Sequence, residues 1–301
     1  LIKIDNHISL IKFPGFEYPH CNCLWIEDEM NCLLDTSPHE DDLRYLLNQR
    51  VDLIINSHGH IDHYLYNHLF PDARVMMHRG DSEFVQFPDK YTGEFGFEEF
   101  IKDPAVNRYY LKAVQYRTTR IDEFLEDGKI ISLGSTAIKT IHIPGHSPGH
   151  CGFLFADKGF MFTSDIDLST FGPWYANLNC SITALLNSIE RILEIKPDYI
   201  VTGHGDGIVR EGYIRRLKEY RDIIFARQKR IVDLISRGYN TIDEIAKKLP
   251  VYRQLPKPEI IFLLYEKVMI LTHLRYLEET GNLIRKDNSY YLEENIKPAL
   301  F

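Results

Sequence analysis

The sequence predicts an α/β fold over residues 1–210, followed by a small C-terminal α+β unit over residues 211–301. Three observations lead there. Short runs rich in Ile, Val, Leu and Phe alternate with polar loops and helical stretches as far as Gly207. Beyond Gly207 the pattern changes to long mixed-charge helical segments closed by a short hairpin. Histidines and aspartates recur just past the carboxyl ends of several strand runs, where loops held by rigid strands commonly carry function.

The expected strands are His7–Phe13, Cys23–Ile26, Asn31–Leu34, Leu53–Ser57, Arg74–His78, Ile130–Leu133, Ala137–Ile143, Cys151–Ala156, Phe160–Thr163 and Tyr199–Thr202. Helices are expected at Glu40–Gln49 and Ile182–Ile195. The second places Ile182, Leu185, Leu186, Ile189, Ile192 and Leu193 on one helical stripe. Tyr213–Ser236 reads as one long helix ended by Gly238. Thr241 and Glu244 then form a capping-box signature for a helix over Ile242–Leu249. A third helix covers Pro258–Thr280, and Leu283–Lys286 pairs with Tyr290–Leu292 around Asp287-Asn288-Ser289. Helices followed by a hairpin make a winged-helix pattern. Residues 79–127 stand out because ten of the 49 are aromatic, against 12% in the whole chain. They either cover a substrate pocket or pack as plain core or dimer surface.

With 44% hydrophobic and 26% charged residues, the composition is that of an ordinary globular protein, which argues against disorder. No run of 18 apolar residues occurs, so no membrane span is expected. Leu1–Asp5 lacks a basic segment followed by an apolar stretch, so no secretory signal is expected. The net charge of −8 repels phosphate backbones at long range and disfavours general nucleic-acid binding. Five cysteines, an odd number at irregular spacing, argue against a disulfide framework and for a reducing, cytoplasmic setting. Cys21 and Cys23 fall on one strand face, where packing is the expected role.

The strongest signal is Ser57-His58-Gly59-His60-Ile61-Asp62-His63, which leaves the strand Leu53–Ser57. Three imidazoles and a carboxylate within six positions suit zinc, and also iron or manganese. Burying them without a metal would leave many polar atoms unpaired. His146 follows the strand Ala137–Ile143, Asp165 follows Phe160–Thr163 and His204 follows Tyr199–Thr202. Five His and two Asp are enough ligands for two divalent ions.

The pattern His58-x-His60-x-Asp62-His63, then His146, Asp165 and His204, resembles the metallo-β-lactamase superfamily over about residues 20–207. The resemblance implies a four-layer αβ/βα sandwich with the metals at one edge. It implies that His58, His60 and His146 bind one ion, that Asp62, His63 and His204 bind the other, and that Asp165 bridges both. Asp35, in Leu33-Leu34-Asp35-Thr36, matches the family's early aspartate and would orient a ligand from behind. The C-terminal part, with Tyr213-Ile214, Arg221, Thr241–Leu249 and His273–Gly281, resembles the winged-helix tail of the lactamase-β-like protein 2 branch. That branch includes a single-stranded RNA endonuclease and many hydrolases.

Two such ions share and ionise a water, so a metal-bridging hydroxide is the expected nucleophile on a small ester, thioester or lactone. Asp62 is expected to orient it while also serving as a ligand. His150 is expected either to deliver a proton or to be structural. Phe171-Gly172-Pro173-Trp174-Tyr175 is expected to overhang the metals, with Tyr175 donating to a substrate oxygen or merely packing. The alternatives are single-stranded RNA cleavage and iron-dependent persulfide-type oxidation. Residues 229–301 carry 12 Lys+Arg and 10 Asp+Glu, a weak nucleic-acid footprint, so homodimerisation is the preferred role of the tail.

Overall fold

Alternation along the strands decides which way each sheet faces. The computed structural model describes residues 1–13, 15 and 18–293. A seven-stranded sheet runs in chain order through β1 (Ile2–Lys3), β2 (Ile8–Ile11), β3 (Cys23–Ile26), β4 (Cys32–Leu34), β5 (Leu53–Ile55), β6 (Arg74–His78) and β7 (Glu123–Leu125). β1 to β4 pair antiparallel and β4 to β7 parallel. The second sheet holds β8 (Ile130–Ser132), β9 (Ala137–His142), β10 (Cys151–Phe155), β11 (Phe160–Ser164), β12 (Tyr199–Thr202) and β13 (Ile208–Val209), in the order β13-β12-β11-β10-β9-β8. β11 and β12 are its parallel pair.

Inward-facing Leu24, Ile26, Leu34, Leu53 and Ile55 of the first sheet meet Ile138, Phe153, Phe155, Phe160 and Phe162 of the second in one dry layer. The outward-facing alternates Cys23, Trp25, Leu33 and Ile54 pack against Leu43 and Leu46 of α1 (Glu40–Leu46). The far face of the second sheet is covered by α7 (Ile182–Ile195), through Leu185, Ile189 and Ile192. The result is helix, sheet, sheet, helix, the expected four layers. Fully burying side chains of this size contributes about 1.5–3 kcal/mol each.

Several ends differ from expectation for local reasons. α1 stops at Leu46, where the Asn48 and Gln49 backbone N–H groups turn to the carbonyls of Tyr45 and Leu46, three residues back, and the Asn48 side-chain amide takes the Arg44 carbonyl. β5 ends at Ile55, since the Ser57 N–H donates to an Asp35 carboxylate oxygen at 2.8 Å and not to a neighbouring strand. β1, β7 and β13 are short strands with no alternation to betray them.

The aromatic segment is mostly helical. After α2 (Ile61–Tyr64) and β6 come α3 (Ser82–Gln86), α4 (Pro88–Glu94), α5 (Phe97–Phe100) and α6 (Pro104–Ala113). Pro88 and Pro104 sit in first turns, and Asp103 caps α6 by accepting from the Ala105 N–H. Phe84, Tyr91, Phe95, Phe97 and Tyr110 are buried within one cluster. The C-terminal part contains α8 (Tyr213–Ser236), α9 (Ile242–Ala246), α10 (Glu259–Glu279) and the hairpin β14 (Leu283–Lys286) to β15 (Ser289–Leu292). The Thr241–Glu244 capping box is formed. The end of the expected C-terminal unit, residues 294–301, lies outside the described residues. Among the described residues no helix is long and apolar enough to cross a membrane.

Candidate metal centre

The loops that follow β5, β9, β11 and β12 bring their ligands together, and several strand ends there are under tight constraint. Ser164 closes β11 with φ +48° and Asp35 follows β4 with φ +59°. Both are left-handed backbones that cost side-chain-bearing residues about 1–3 kcal/mol and cluster at functional sites. The Ser164 conformation turns Asp165 toward the histidines. Gly145 precedes His146 with φ +127°, and a Cβ there would meet the Leu185 backbone nitrogen at 2.4 Å. Only glycine lets that loop lie so close to α7.

The seven expected ligands come together in two sets. His58, His60, His146 and Asp165 form one, and Asp62, His63 and His204 the other. In the first, His146 Nε2 lies 2.9 Å from His60 Nδ1 and 3.2 Å from His58 Nε2. In the second, His63 Nε2 lies 3.3 Å from His204 Nε2, and Asp62 Oδ2 lies 3.4 Å from His204 Nε2. Asp165 faces both sets. Its Oδ1 is 3.0 Å from His63 Nε2 and 3.5 Å from His204 Nε2, while its Oδ2 is 3.4 Å from His146 Nε2. Lone pairs converging at such distances suit small cations. A third grouping, Cys21, Asp35 and His63, shares His63 with the second set.

Partners on the outer ring nitrogens fix which nitrogen points inward. His146 Nδ1–H donates to the Trp174 carbonyl at 2.9 Å and His60 Nε2–H to Asn177 Oδ1 at 2.8 Å. His63 Nδ1 bonds Asp35 Oδ2 at 2.8 Å, and His58 Nδ1 meets Ser57 Oγ at 3.0 Å. His60 therefore presents Nδ1, whereas His58, His63, His146 and His204 present Nε2.

Charge in the centre is divided between the two sets. Burial, then neighbouring His63, holds His58 well below the usual imidazole range, and burial does the same for His146. Burial by itself would raise Asp165, but His63, His204, His58 and His146 outweigh it and hold the carboxyl well below its usual range. Burial opposes charge on His204 too, yet Asp165 and Asp62 drive it well above. These are the electrostatics of a cluster arranged for cations.

The two remaining expectations fare differently. His150 is fully buried behind the centre, with Nδ1 on the Ile143 carbonyl at 3.0 Å and Nε2 facing the Asp165 N–H at 3.3 Å. Both nitrogens are occupied, which is the structural role set beside proton delivery. The substrate-donor role for Tyr175 is corrected. Its hydroxyl is buried, lying 2.8 Å from His273 Nε2 and 3.1 Å from Arg227 Nη1, so none of it is left for substrate. The overhanging residue of that loop is Trp174, whose ring centroid lies 5.4 Å from that of His60. Cys21 and Cys23 are buried with sulfurs 3.7 Å apart, and all five cysteines are free.

Sequence reasoning missed four contributors. Asn177 holds His60. Asp81 accepts from Gly59 N–H, Ser147 Oγ and Gly149 N–H, tying the first histidine loop to the second. Tyr220 of α8 donates to the Asp165 carbonyl at 3.0 Å. Arg227 of α8 grips the carbonyls of Phe171 and Pro173. The last had a visible signal, because Arg227 falls on the Leu217, Tyr220, Ile224, Ile231 stripe, where a charge is out of place.

Residues 19–204 match the family described as the metallo-β-lactamase superfamily. The chain is similar to hydroxyacylglutathione hydrolase GloC of Haemophilus influenzae, at 24% identity over 211 residues, which span 66% of this chain and 91% of that protein. It is also similar to the human acyl-coenzyme A thioesterase MBLAC2, at 25% identity over 169 residues, or 55% of this chain and about half (53%) of the human protein. A metallo-β-lactamase family protein of Thermus thermophilus, TTHA1429, shares the fold with a TM-score of 0.72 at 20% identity, covering 97% of this chain and 100% of that one.

Proposed function

Because this chain belongs to the metallo-β-lactamase superfamily, we propose that it is a dinuclear metal-dependent hydrolase of small esters, thioesters or lactones. The observation that carries the reading is Asp165, one carboxylate oxygen directed at each histidine set. The donor set, imidazole and carboxylate without thiolate in the two main groups, fits zinc and equally iron or manganese. His58, His60 and His146 would hold one ion, Asp62, His63 and His204 the other, with Asp165 between them. Divalent ions so held supply a water of lowered pKa and a Lewis acid for the scissile carbonyl.

The chain's own residues do the rest. Asp62 and Asp165 are the least buried of the seven ligands, at 15% and 13% side-chain exposure, so substrate approaches on their side. Asp62 accepts a hydrogen bond from the attacking water and orients it. Asp35, Asn177 and the Trp174 carbonyl keep His63, His60 and His146 aimed. Trp174 and Phe95, with ring centroids 5.4 and 5.8 Å from that of His60, keep bulk water off that flank. A thioester is the favoured member of the substrate class, since one of the relatives is named as a thioesterase.

We place residues 1–210 in a catalytic domain and 211–301 in a winged-helix-like domain, in a cytoplasmic protein that forms homodimers through that tail. Sedimentation tests the dimer. The reaction is tested on metal-loaded protein with thioesters, lactones and single-stranded RNA, alongside metal analysis. Thioester or lactone turnover that disappears with metal content in His58→Ala and Asp62→Ala is expected. Full turnover in either variant overturns the assignment, and cleavage of RNA alone would move the function to the nuclease reading.

A further inference from the structure

Trp174 is held beside the metal ligands by side chains from the C-terminal part of the chain. Its ring centroid lies 5.4 Å from that of His60 and 5.8 Å from that of His146. Its indole N–H donates to the Tyr252 hydroxyl at 3.1 Å, which fixes the rotation of the ring. Tyr252 lies between α9 and α10. Its own ring packs on Phe171 and Phe262, with centroids 5.0 and 5.6 Å away. Its backbone is held by Glu266 of α10, a fully buried carboxylate that accepts from the Val251 N–H at 2.9 Å and the Tyr252 N–H at 2.8 Å. Burying a carboxylate is costly, and what it secures here is the backbone position of Tyr252. Tyr265, the residue before Glu266, meets Trp174 edge-on at 5.4 Å and Phe95 at 5.8 Å, and its hydroxyl bonds that of Tyr110 at 2.9 Å. Phe95 itself lies 6.1 Å from Trp174. The indole is thus braced by Tyr252, Tyr265 and Phe95 while it borders two ligands of the first set.

We propose that Tyr252 and Glu266 are positioning residues that set the specificity of the reaction. They lock the Trp174 indole as a fixed wall beside the first histidine set, and that wall limits the bulk of the group carried next to the scissile carbonyl. An indole tied at its N–H and packed on its edges keeps one rotamer and does not swing aside for a branched substituent. A rigid wall discriminates by exclusion, and one carbon more or less against it is worth about 10–200-fold in kcat/KM. The C-terminal part of the chain therefore acts on substrate choice without touching substrate. The inference rests on the hydrolase reading and adds what restricts its substrates.

The test compares acetyl and pivaloyl thioesters of N-acetylcysteamine on metal-loaded full-length protein, wild type, Tyr252→Phe and Glu266→Gln. The intrinsic reactivities of the two thioesters cancel when the pivaloyl-to-acetyl ratio of kcat/KM is compared between proteins. Tyr252→Phe keeps the ring and removes only the hydroxyl, and this ratio is expected to rise about tenfold. Glu266→Gln keeps one of two acceptors and is expected to raise the ratio as well. A general loss of structure lowers both substrates alike and leaves the ratio where it was. Labelling with 5-fluorotryptophan gives one fluorine resonance for each of the two tryptophans, and Trp174→Phe assigns them. The Trp174 resonance is expected to shift in Tyr252→Phe while that of Trp25 stays. An unmoved Trp174 resonance overturns the positioning, and an unchanged ratio despite a shifted resonance overturns the specificity role. If wild type cleaves neither thioester the hydrolase reading fails, and calorimetric binding of acetate and pivalate to the same proteins decides the wall by itself. Pivalate gaining on acetate in Tyr252→Phe supports it, and an equal change for both acids overturns it.

Discussion

His146 donates its Nδ1–H to the main-chain carbonyl of Trp174 at 2.9 Å, and that carbonyl belongs to a loop held from the far side by a buried arginine. Arg227 is 1% exposed and among the described residues makes no ion pair. Its guanidinium bonds the carbonyls of Phe171 and Pro173 and the hydroxyl of Tyr175, and stacks 4.5 Å above the Phe171 ring. α8 therefore sets the aim of a ligand far away in sequence. Arg227→Met is expected to leave the buried carbonyls unpaired and to cost about 2–4 kcal/mol of stability. Arg227→Lys is expected to rescue little of this, because an ammonium has no planar fork. Denaturant unfolding measures the loss, and metal titration should show weaker binding in both variants. Wild-type metal affinity in Arg227→Lys would detach the helix from the centre.

Asp35 makes three contacts with two partners: His63 Nδ1 at 2.8 Å, Ser57 N–H at 2.8 Å and Ser57 Oγ at 2.9 Å. Ser57 Oγ in turn touches His58 Nδ1 and Ser164 Oγ. One carboxylate thus reaches both histidine sets and the turn that presents Asp165. Asp35→Asn preserves shape but weakens the acceptor facing His63, and a loss of about 10–100-fold in metal affinity is expected. Competitive chelator titration measures it, and unchanged affinity would reduce Asp35 to a packing role.

His150 carries a prediction that separates its two readings. As a structural residue between the Ile143 carbonyl and the Asp165 N–H, it fixes the backbone that presents Asp165. His150→Gln is then expected to lower metal content and kcat together, by roughly tenfold, while the pH profile of kcat keeps its shape. A vanished limb in that profile, with metal fully retained, would restore proton delivery.

The sheets and the seven ligands were legible because each depends on local pattern. Short apolar runs bounded by turn residues outlined β3, β6 and β12 to the residue, and the histidine spacing needs only a strand end and a short turn. What surrounds the ligands was not, since it is assembled across long sequence distances. Nothing near Asn177 announces that it meets His60, and nothing near Asp81 shows that Gly59 and Gly149 converge on it. The choice between the two roles of Tyr175 was not legible, because proximity to Asp165 in sequence says nothing of side-chain direction. Trp174 turns toward the histidines, and its neighbour turns away into the core shared with α8 and α10. The aromatic insert stood out by composition but not as helical, because three of its four helices are too short to display a 3.6-residue period.

That shared core carries the last prediction, which concerns pH. His273 is fully buried, with Nδ1 2.7 Å from Gln228 Oε1 and Nε2 2.8 Å from the Tyr175 hydroxyl. The amide oxygen only accepts, so Nδ1 carries the proton and Nε2 accepts from Tyr175, which describes a neutral imidazole. Burial, then Arg227 and Arg230, hold His273 well below its ordinary 6.5. The folded chain therefore binds fewer protons than the unfolded chain below pH 6.5. The contribution of His273 is complete above that pH and is lost as pH falls toward the folded value. At about 1.4 kcal/mol per pH unit for one proton, the loss between pH 7.5 and pH 5 is about 2 kcal/mol. His273→Gln removes the titration, so its denaturant midpoint is expected to start lower at pH 7.5 and to fall less on acidification. The two pH curves should converge near pH 5. Parallel curves would mean that His273 is protonated in the folded protein, and the hydrogen-bond assignment linking Tyr175 to α10 would have to be reversed.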